Sequence, residues 1–224
     1  MRIAARITGV ASIALALCVA PLGAQQMDAM KKKPMSKAAK AKMDPMMRGW
    51  PKASRDAVMY MTNKYGAPMH MTEHSAMWGT TGQWKRTIVY NYEVKHDFPA
   101  PHSDSVESVI DYRVPPEKFS ALAEFDGSVI AERTAGEVSA RCHDEQANSL
   151  ALNLMHDIVT GAKTVQEARD YYAKEFADYR RKQPTPYMDG LQFTPGDRSA
   201  ADPDVRVLSD EDLENAVKEG EARG

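Results

Sequence analysis

The chain has 224 residues, with 29 Lys or Arg against 31 Asp or Glu and only two cysteines, Cys18 and Cys142. The near balance of charge argues against a nucleic-acid binder, which needs a basic surface to meet phosphate. Two cysteines exclude a disulfide-stapled scaffold, so the fold must be held by an apolar core, and the length suffices for one domain of ordinary size.

Residues 1–24, "MRIAARITGVASIALALCVAPLGA", place Arg2 and Arg6 before an apolar run from Ile7 to Leu22 that ends in small residues. This is the pattern of a secretory signal peptide with cleavage after Ala24, and the run is short for a membrane span. Leu17 before Cys18 is too bulky for lipoprotein processing. Cleavage leaves 31 acidic and 27 basic residues, a formal charge of −4, with Cys142 as the sole thiol and no transmembrane segment expected in the mature chain. The predicted location is periplasmic or secreted.

Residues 25–52 carry eight Lys or Arg, two Asp and six Met without an apolar period, and read as a flexible basic leader. The foldable part is predicted to be a single domain over 53–194. Ser54 can cap a helix in which Val58, Met61 and Tyr65 share a face, closed by Gly66 and Pro68. Residues 69–78 then read as a first strand, turned by "GTTG" into a second over 84–94. In that second strand Ile88, Tyr90, Tyr92 and Val94 alternate toward the core, matched by Val106, Ile110, Tyr112 and Val114 in the next.

Pro115 and Pro116 open a short helix carrying Phe119, Leu122 and Ala123, and "SVIAER" is a fourth strand. A long helix is expected from about residue 140 to Thr160, with Ala147, Leu150, Ala151, Leu154 and Ile158 at helical spacing. Gly161 stops it. Thr164 and Glu167 form a capping box for the next helix, whose stripe is Val165, Ala168, Tyr172, Phe176 and Tyr179. The expected fold class is α+β: an antiparallel sheet of three to four strands packed against a long central helix and a second, antiparallel helix. Residues 195–224 form an acidic tail in which Ser209 and Asp212 begin a short helix.

Three groups of residues invite a functional reading. "MHMTEH" (69–74) offers Met69, His70 and Met71, soft ligands for copper or silver, but an extended backbone holds His70 and His74 about 13 Å apart, too far to share one ion. No cofactor is implied. A polar cluster, Arg133, Arg141, Cys142, His143, Glu145 and Asn148, gathers where the central helix is expected to begin. On a helix Cys142 and His143 diverge by about 100°, which disfavours a nucleophile and base, whereas Arg141 and Glu145 can pair. An aromatic patch, Trp78, Trp84, Tyr90 and Tyr92, offers a surface for a peptide or glycan.

The blocks "KYGAP", "WKRTIVY", "FDGSVIAERTAGEVSARC" and "LALNLMHDIVTGAKTVQEARDYY" resemble an uncharacterised family of secreted bacterial proteins over roughly residues 50–194. The first helix and Trp-bearing hairpin are also similar to small envelope modules of the outer-membrane assembly lipoprotein type. The resemblance implies an exported protein and supplies no catalytic residues. The expectation is an envelope-associated binding or accessory protein rather than an enzyme, with an envelope protein, peptide or glycan as partner. Soft-metal binding and hydrolysis are the alternatives.

Overall fold

The structure, a computed structural model, describes Ala41 and residues 43–223. The expected signal peptide and most of the leader lie outside the described residues. The class is α+β, and the sheet is larger than expected. Six strands, β1 (His70–Met71), β2 (Ser75–Trp78), β3 (Arg86–His96), β4 (His102–Asp111), β5 (Val129–Glu132) and β6 (Glu137–Cys142), form one antiparallel sheet in the order β1-β2-β3-β4-β6-β5.

Two expectations fail at the sheet for local reasons. Residues 69–78 do not form one strand, because the Thr72 hydroxyl accepts from the backbone N–H groups of His74 and Ser75, both at 3.1 Å. That turn splits the segment into the β1–β2 hairpin. Residues 137–142 are a strand and not the start of the long helix. Val138, Ala140 and Cys142 face inward while Glu137, Ser139 and Arg141 face out, the period of two that a half-covered strand requires.

The register also reverses the expected facing of β3. Val89 pairs with Val106, which pairs with Cys142, so Thr87 and Val89 lie on the covered face. Ile88, Tyr90 and Tyr92 take the other face, and a bulge follows between Val89 and Val94. Tyr92 is accordingly 45% exposed.

Helices cover one face. Helix α1 (Lys52–Tyr65) starts two residues before Ser54, whose side chain is buried within the helix, and ends at Gly66. Helix α2 (Phe119–Phe125) leads to β5. The central helix α3 (Glu145–Thr160) is capped by Asp144, whose carboxylate accepts from Ala147 N–H, and stops at left-handed Gly161. Helix α4 (Val165–Arg180) carries the expected Thr164–Glu167 capping box. A single turn, α5 (Pro186–Asp189), packs on α3, and α6 (Asp210–Glu221) is an exposed tail helix with the Ser209–Asp212 box. Among the described residues no helix is long and apolar enough to cross a membrane.

The covered face holds two apolar clusters. The larger gathers Ile110, Leu122, Phe125, Val138, Leu150, Leu154, Ile158 and Tyr172 beneath α2, α3 and α4. The smaller joins Val58 and Met61 of α1 to Ala76, Trp78, Val89 and Val106, and it includes Met43, Met47 and Trp50. The end of the basic leader is therefore anchored, with Trp50 Nε1 donating to Glu73 O at 2.9 Å. The start of the tail is docked as well: Gly196 N–H donates to Asp111 O, and Asp202 N–H to Arg133 O.

On the open face, Glu137 links three strands. Arg86 forks onto its two oxygens at 2.8 and 2.5 Å, and Lys85 Nζ lies 2.7 Å away while also reaching Asp111 at 2.6 Å. The Arg86 hydrogen bonds, joined by Lys85 and opposed by partial burial, lower the Glu137 pKa from 4.5 to about 2. A depressed carboxyl stabilises the fold fully above its ordinary value and loses that contribution as pH falls through the folded value. Because Lys85 and Arg86 are about a third exposed, screening limits it to on the order of 1–2 kcal/mol. Urea midpoints for Glu137→Gln should fall below wild type at neutral pH and converge with it as pH drops from 4.5 toward 2; a constant gap would show that the pair contributes nothing by titration.

Candidate metal centre

Strands β3 and β4 are joined by a short tip, and their register pairs His96 with His102 at its neck. His102, Asp104 and Val106 alternate onto the covered face of β4, and Cys142 stands opposite Val106 at the end of β6. The chain then turns through His143 and Asp144 into α3. Three chain segments therefore bring His96, His102, Asp104, Cys142 and His143 to one end of the sheet.

The distances are short. Cys142 Sγ lies 3.2 Å from His102 Nε2 and 3.4 Å from His143 Nδ1. Asp104 Oδ1 lies 3.0 Å from the same His102 Nε2. In a tetrahedral zinc site, bonds of about 2.3 Å to sulfur and 2.0–2.1 Å to nitrogen give a sulfur–nitrogen edge of about 3.5 Å. The donor atoms of Cys142, His102 and His143 all fall within 4.8 Å of one another, as do those of His96, His102 and Asp104.

The outer hydrogen bonds assign the ring protons. His102 Nδ1 lies 2.8 Å from the carbonyl of Ala100, which only accepts, so Nδ1 carries hydrogen and Nε2 presents its lone pair inward. His143 Nε2 lies 3.1 Å from Asp144 Oδ2. Burial opposes ionisation of Asp144, but the His143 and backbone hydrogen bonds outweigh it and hold the pKa below the ordinary value. Nε2 of His143 is thus the donor, and its Nδ1 faces the thiol. Carbonyl and carboxylate partners on the far nitrogen are the supports that metal-bound imidazoles use.

Asp104 is prepared in the same manner. Its Oδ2 accepts from Ser128 Oγ at 2.7 Å, and His96 Nδ1 lies 3.1 Å from that oxygen. Its Oδ1, in a residue only 1% exposed, has no aligned hydrogen-bond donor despite its proximity to His102. The Asp104 carboxylate beside Nε2, with help from the Ala100 carbonyl, raises the His102 pKa against burial. The spot therefore attracts a positive charge. A proton on Nε2 serves one acceptor at a time, whereas Sγ, two imidazole lone pairs and Oδ1 all converge there.

Cys142 is 4% exposed, and Tyr172 closes over it with its hydroxyl 3.9 Å from Sγ. Burial, then the charge of Asp104, pushes the thiol pKa well above its ordinary value. A nucleophilic cysteine needs the reverse, a stabilised thiolate open to substrate. A metal ion would lower that pKa directly, displacing the proton as it binds.

The residues singled out in the sequence part company. Arg133 pairs with Asp204 at the edge of the sheet. Arg141 lies on the open face against Tyr90, so the expected Arg141–Glu145 pair does not form. Glu145 instead accepts from Lys64 at 2.6 Å, from Trp84 Nε1 at 2.6 Å and from Tyr65, tying α1 to α3. Asn148 donates to Val106 O and Ser108 Oγ. Within the polar cluster Cys142 and His143 meet, because they stand on a strand end and a turn rather than on a helix.

The aromatic patch is divided too. Trp78 and Trp84 are buried, and Trp78 Nε1 donates to Gly66 O at 2.9 Å, whereas Tyr90 and Tyr92 lie on the opposite face. Met69 is exposed while Met71 packs on the smaller apolar cluster, and His70 faces solvent across the hairpin from Met77. These three do not assemble a ligand set. Sequence reasoning missed His96, His102 and Asp104, although "HSD" at 102–104 puts His and Asp on one side of any strand.

Comparison of the whole chain with protein-family models, curated proteins and solved structures found no match.

Burial of Cys142 makes a direct expectation. In folded, metal-free protein, Cys142 should react with a disulfide reagent at least about 100-fold more slowly than in urea-unfolded chain, because reaction requires local opening. A folded-state rate equal to that of the unfolded chain would reveal an open thiol and revive the nucleophile.

Proposed function

We propose that this is an exported, envelope-associated accessory protein that binds a thiophilic transition-metal ion through Cys142, His102 and His143. The observation that carries this reading is the convergence of a buried thiol and two imidazole nitrogens from β4 and the end of β6, with the outer nitrogen of each imidazole already occupied by an acceptor. Export rests on the N-terminal pattern of Arg2, Arg6 and the apolar run. One thiolate with two imidazoles suits zinc(II) first, and its softer neighbours cadmium(II) and copper(I) after it. The three donors leave a fourth position for Asp104 or water. The soft-metal reading of the sequence thus moves from Met69, His70 and Met71 to a different place in the fold.

Burial of Cys142 and Asp104 supports binding over hydrolysis, since it leaves little open surface beside those two donors for a substrate. The site has the character of a holder.

Titrating the metal-free mature chain with cobalt(II) should give one bound ion and a thiolate-to-cobalt charge-transfer band, which zinc(II) abolishes by displacement. Structural zinc sites bind with about 10–16 kcal/mol over four ligands, so removing one by Cys142→Ser should weaken zinc by on the order of 100-fold or more and erase the band. Zinc at 100 times its dissociation constant adds about 2.7 kcal/mol of stability, raising the melting temperature by about 5–10 °C for a chain of this size. Cobalt binding without the charge-transfer band, or no binding of either ion at micromolar concentration, would end this reading.

A further inference from the structure

The donor atoms form two sets and not one. Cys142, His102 and His143 make the first; His96, His102 and Asp104 make the second. His102 belongs to both, and only its Nε2 is free to ligate, since Nδ1 is held by the Ala100 carbonyl. One nitrogen lone pair cannot bind two ions.

The second set has its own support. His96 Nδ1 lies 3.1 Å from Asp104 Oδ2, and its Nε2 points toward the buried carboxylate of Asp126 at 3.7 Å. Asp126 Oδ1 in turn accepts from Ser128 N–H at 2.7 Å, and Ser128 Oγ holds Asp104. Asp126 thus backs the far nitrogen of His96 at ion-pair distance, a looser form of the support that Asp144 gives His143. Asp104 Oδ1, buried and without an aligned hydrogen-bond donor, faces His102 Nε2 at 3.0 Å, an arrangement of carboxylate and imidazole that a cation can join. Two imidazoles and one carboxylate suit harder first-row ions such as manganese(II) and iron(II), whereas the thiolate of the first set favours softer ones.

We infer that the end of the sheet holds two alternative cation positions that share His102 and are therefore filled one at a time, with the softness of the ion deciding which. Zinc(II) and cadmium(II) take the position at Cys142; manganese(II) takes the one at His96 and Asp104. This inference rests on the metal-binding reading above and adds a second position and a rule of exclusion. It makes the protein a discriminator, able to exchange a hard ion for a soft one through movement of a single imidazole.

The wild-type chain suffices for the main test. Manganese(II) added to metal-free protein should lose its free-ion paramagnetic resonance signal at one equivalent, and cadmium(II) should release it one for one while a thiolate-to-cadmium absorption appears. Simultaneous retention of both ions would overturn the exclusion, and failure of manganese to bind while cadmium does would remove the second position and leave the first intact. Absence of the cadmium–thiolate absorption sinks the underlying reading instead, so the two failures are told apart. Two variants extend the test: His96→Gln should abolish manganese binding and leave cadmium affinity within about 10-fold of wild type, while Cys142→Ser should do the reverse. Loss of both ions in folded His96→Gln would show one merged site and overturn the inference.

Discussion

The pairing of β6 with β4 is the constraint on which the site depends. Cys142 reaches the covered face because it stands opposite Val106, with Ala140 opposite Ser108 and Val138 opposite Ile110. A slip of one residue would send Val138, Ala140 and Cys142 to the open face together. The register is therefore fixed by apolar burial, and the thiol is placed as a by-product of core formation. His102 and Asp104 are placed by the same alternation along β4.

Burial then turns geometry into electrostatics. Asp104, Cys142 and Asp126 sit where water is excluded, and an acceptor there without a donor costs free energy of about 1–3 kcal/mol, more when charged. The chain covers most of this cost with its own donors: Ser128 on Asp104, backbone N–H on Asp126, Ala147 N–H on Asp144. What it leaves uncovered is concentrated around His102 Nε2. Contrast Glu145, equally buried, whose two oxygens receive Lys64, Tyr65 and Trp84 and which has no need of an added cation. The difference between these two buried carboxylates separates a structural network from a candidate binding site.

The helices were legible in the sequence because an apolar period of 3.6 and capping chemistry are local. The Thr164–Glu167 and Ser209–Asp212 boxes form as read, and Gly161 ends the central helix. Strand β6 carried a readable alternation, Glu137 to Cys142, yet its small apolar residues also fit the turn of helix they were joined to. The Thr72 turn was a single-residue signal inside an otherwise extended stretch. The facing of β3 was not legible, since Ile88–Tyr90–Tyr92 and Thr87–Val89 are both consistent alternations and only pairing with Val106 chooses between them. For the same reason the site escaped notice: its residues are local neighbours only in part, with His102 and Cys142 brought together across a ladder that no single segment announces.

Helix α3 connects the site to the rest of the molecule. Asp144 both caps it and steadies His143, so the first turn of the helix and the orientation of one ligand share a carboxylate. The next residue, Glu145, ties that turn to α1 and Trp84, and one helical turn further Asn148 fastens it to the backbone of β4 beside Ser108. His102 takes its outer support from the Ala100 carbonyl in the tip between β3 and β4, and its Nε2 lies 3.2 Å from Cys142 Sγ and 3.0 Å from Asp104 Oδ1. Of the two histidines facing the thiol, His102 is therefore the one that both donor sets contain.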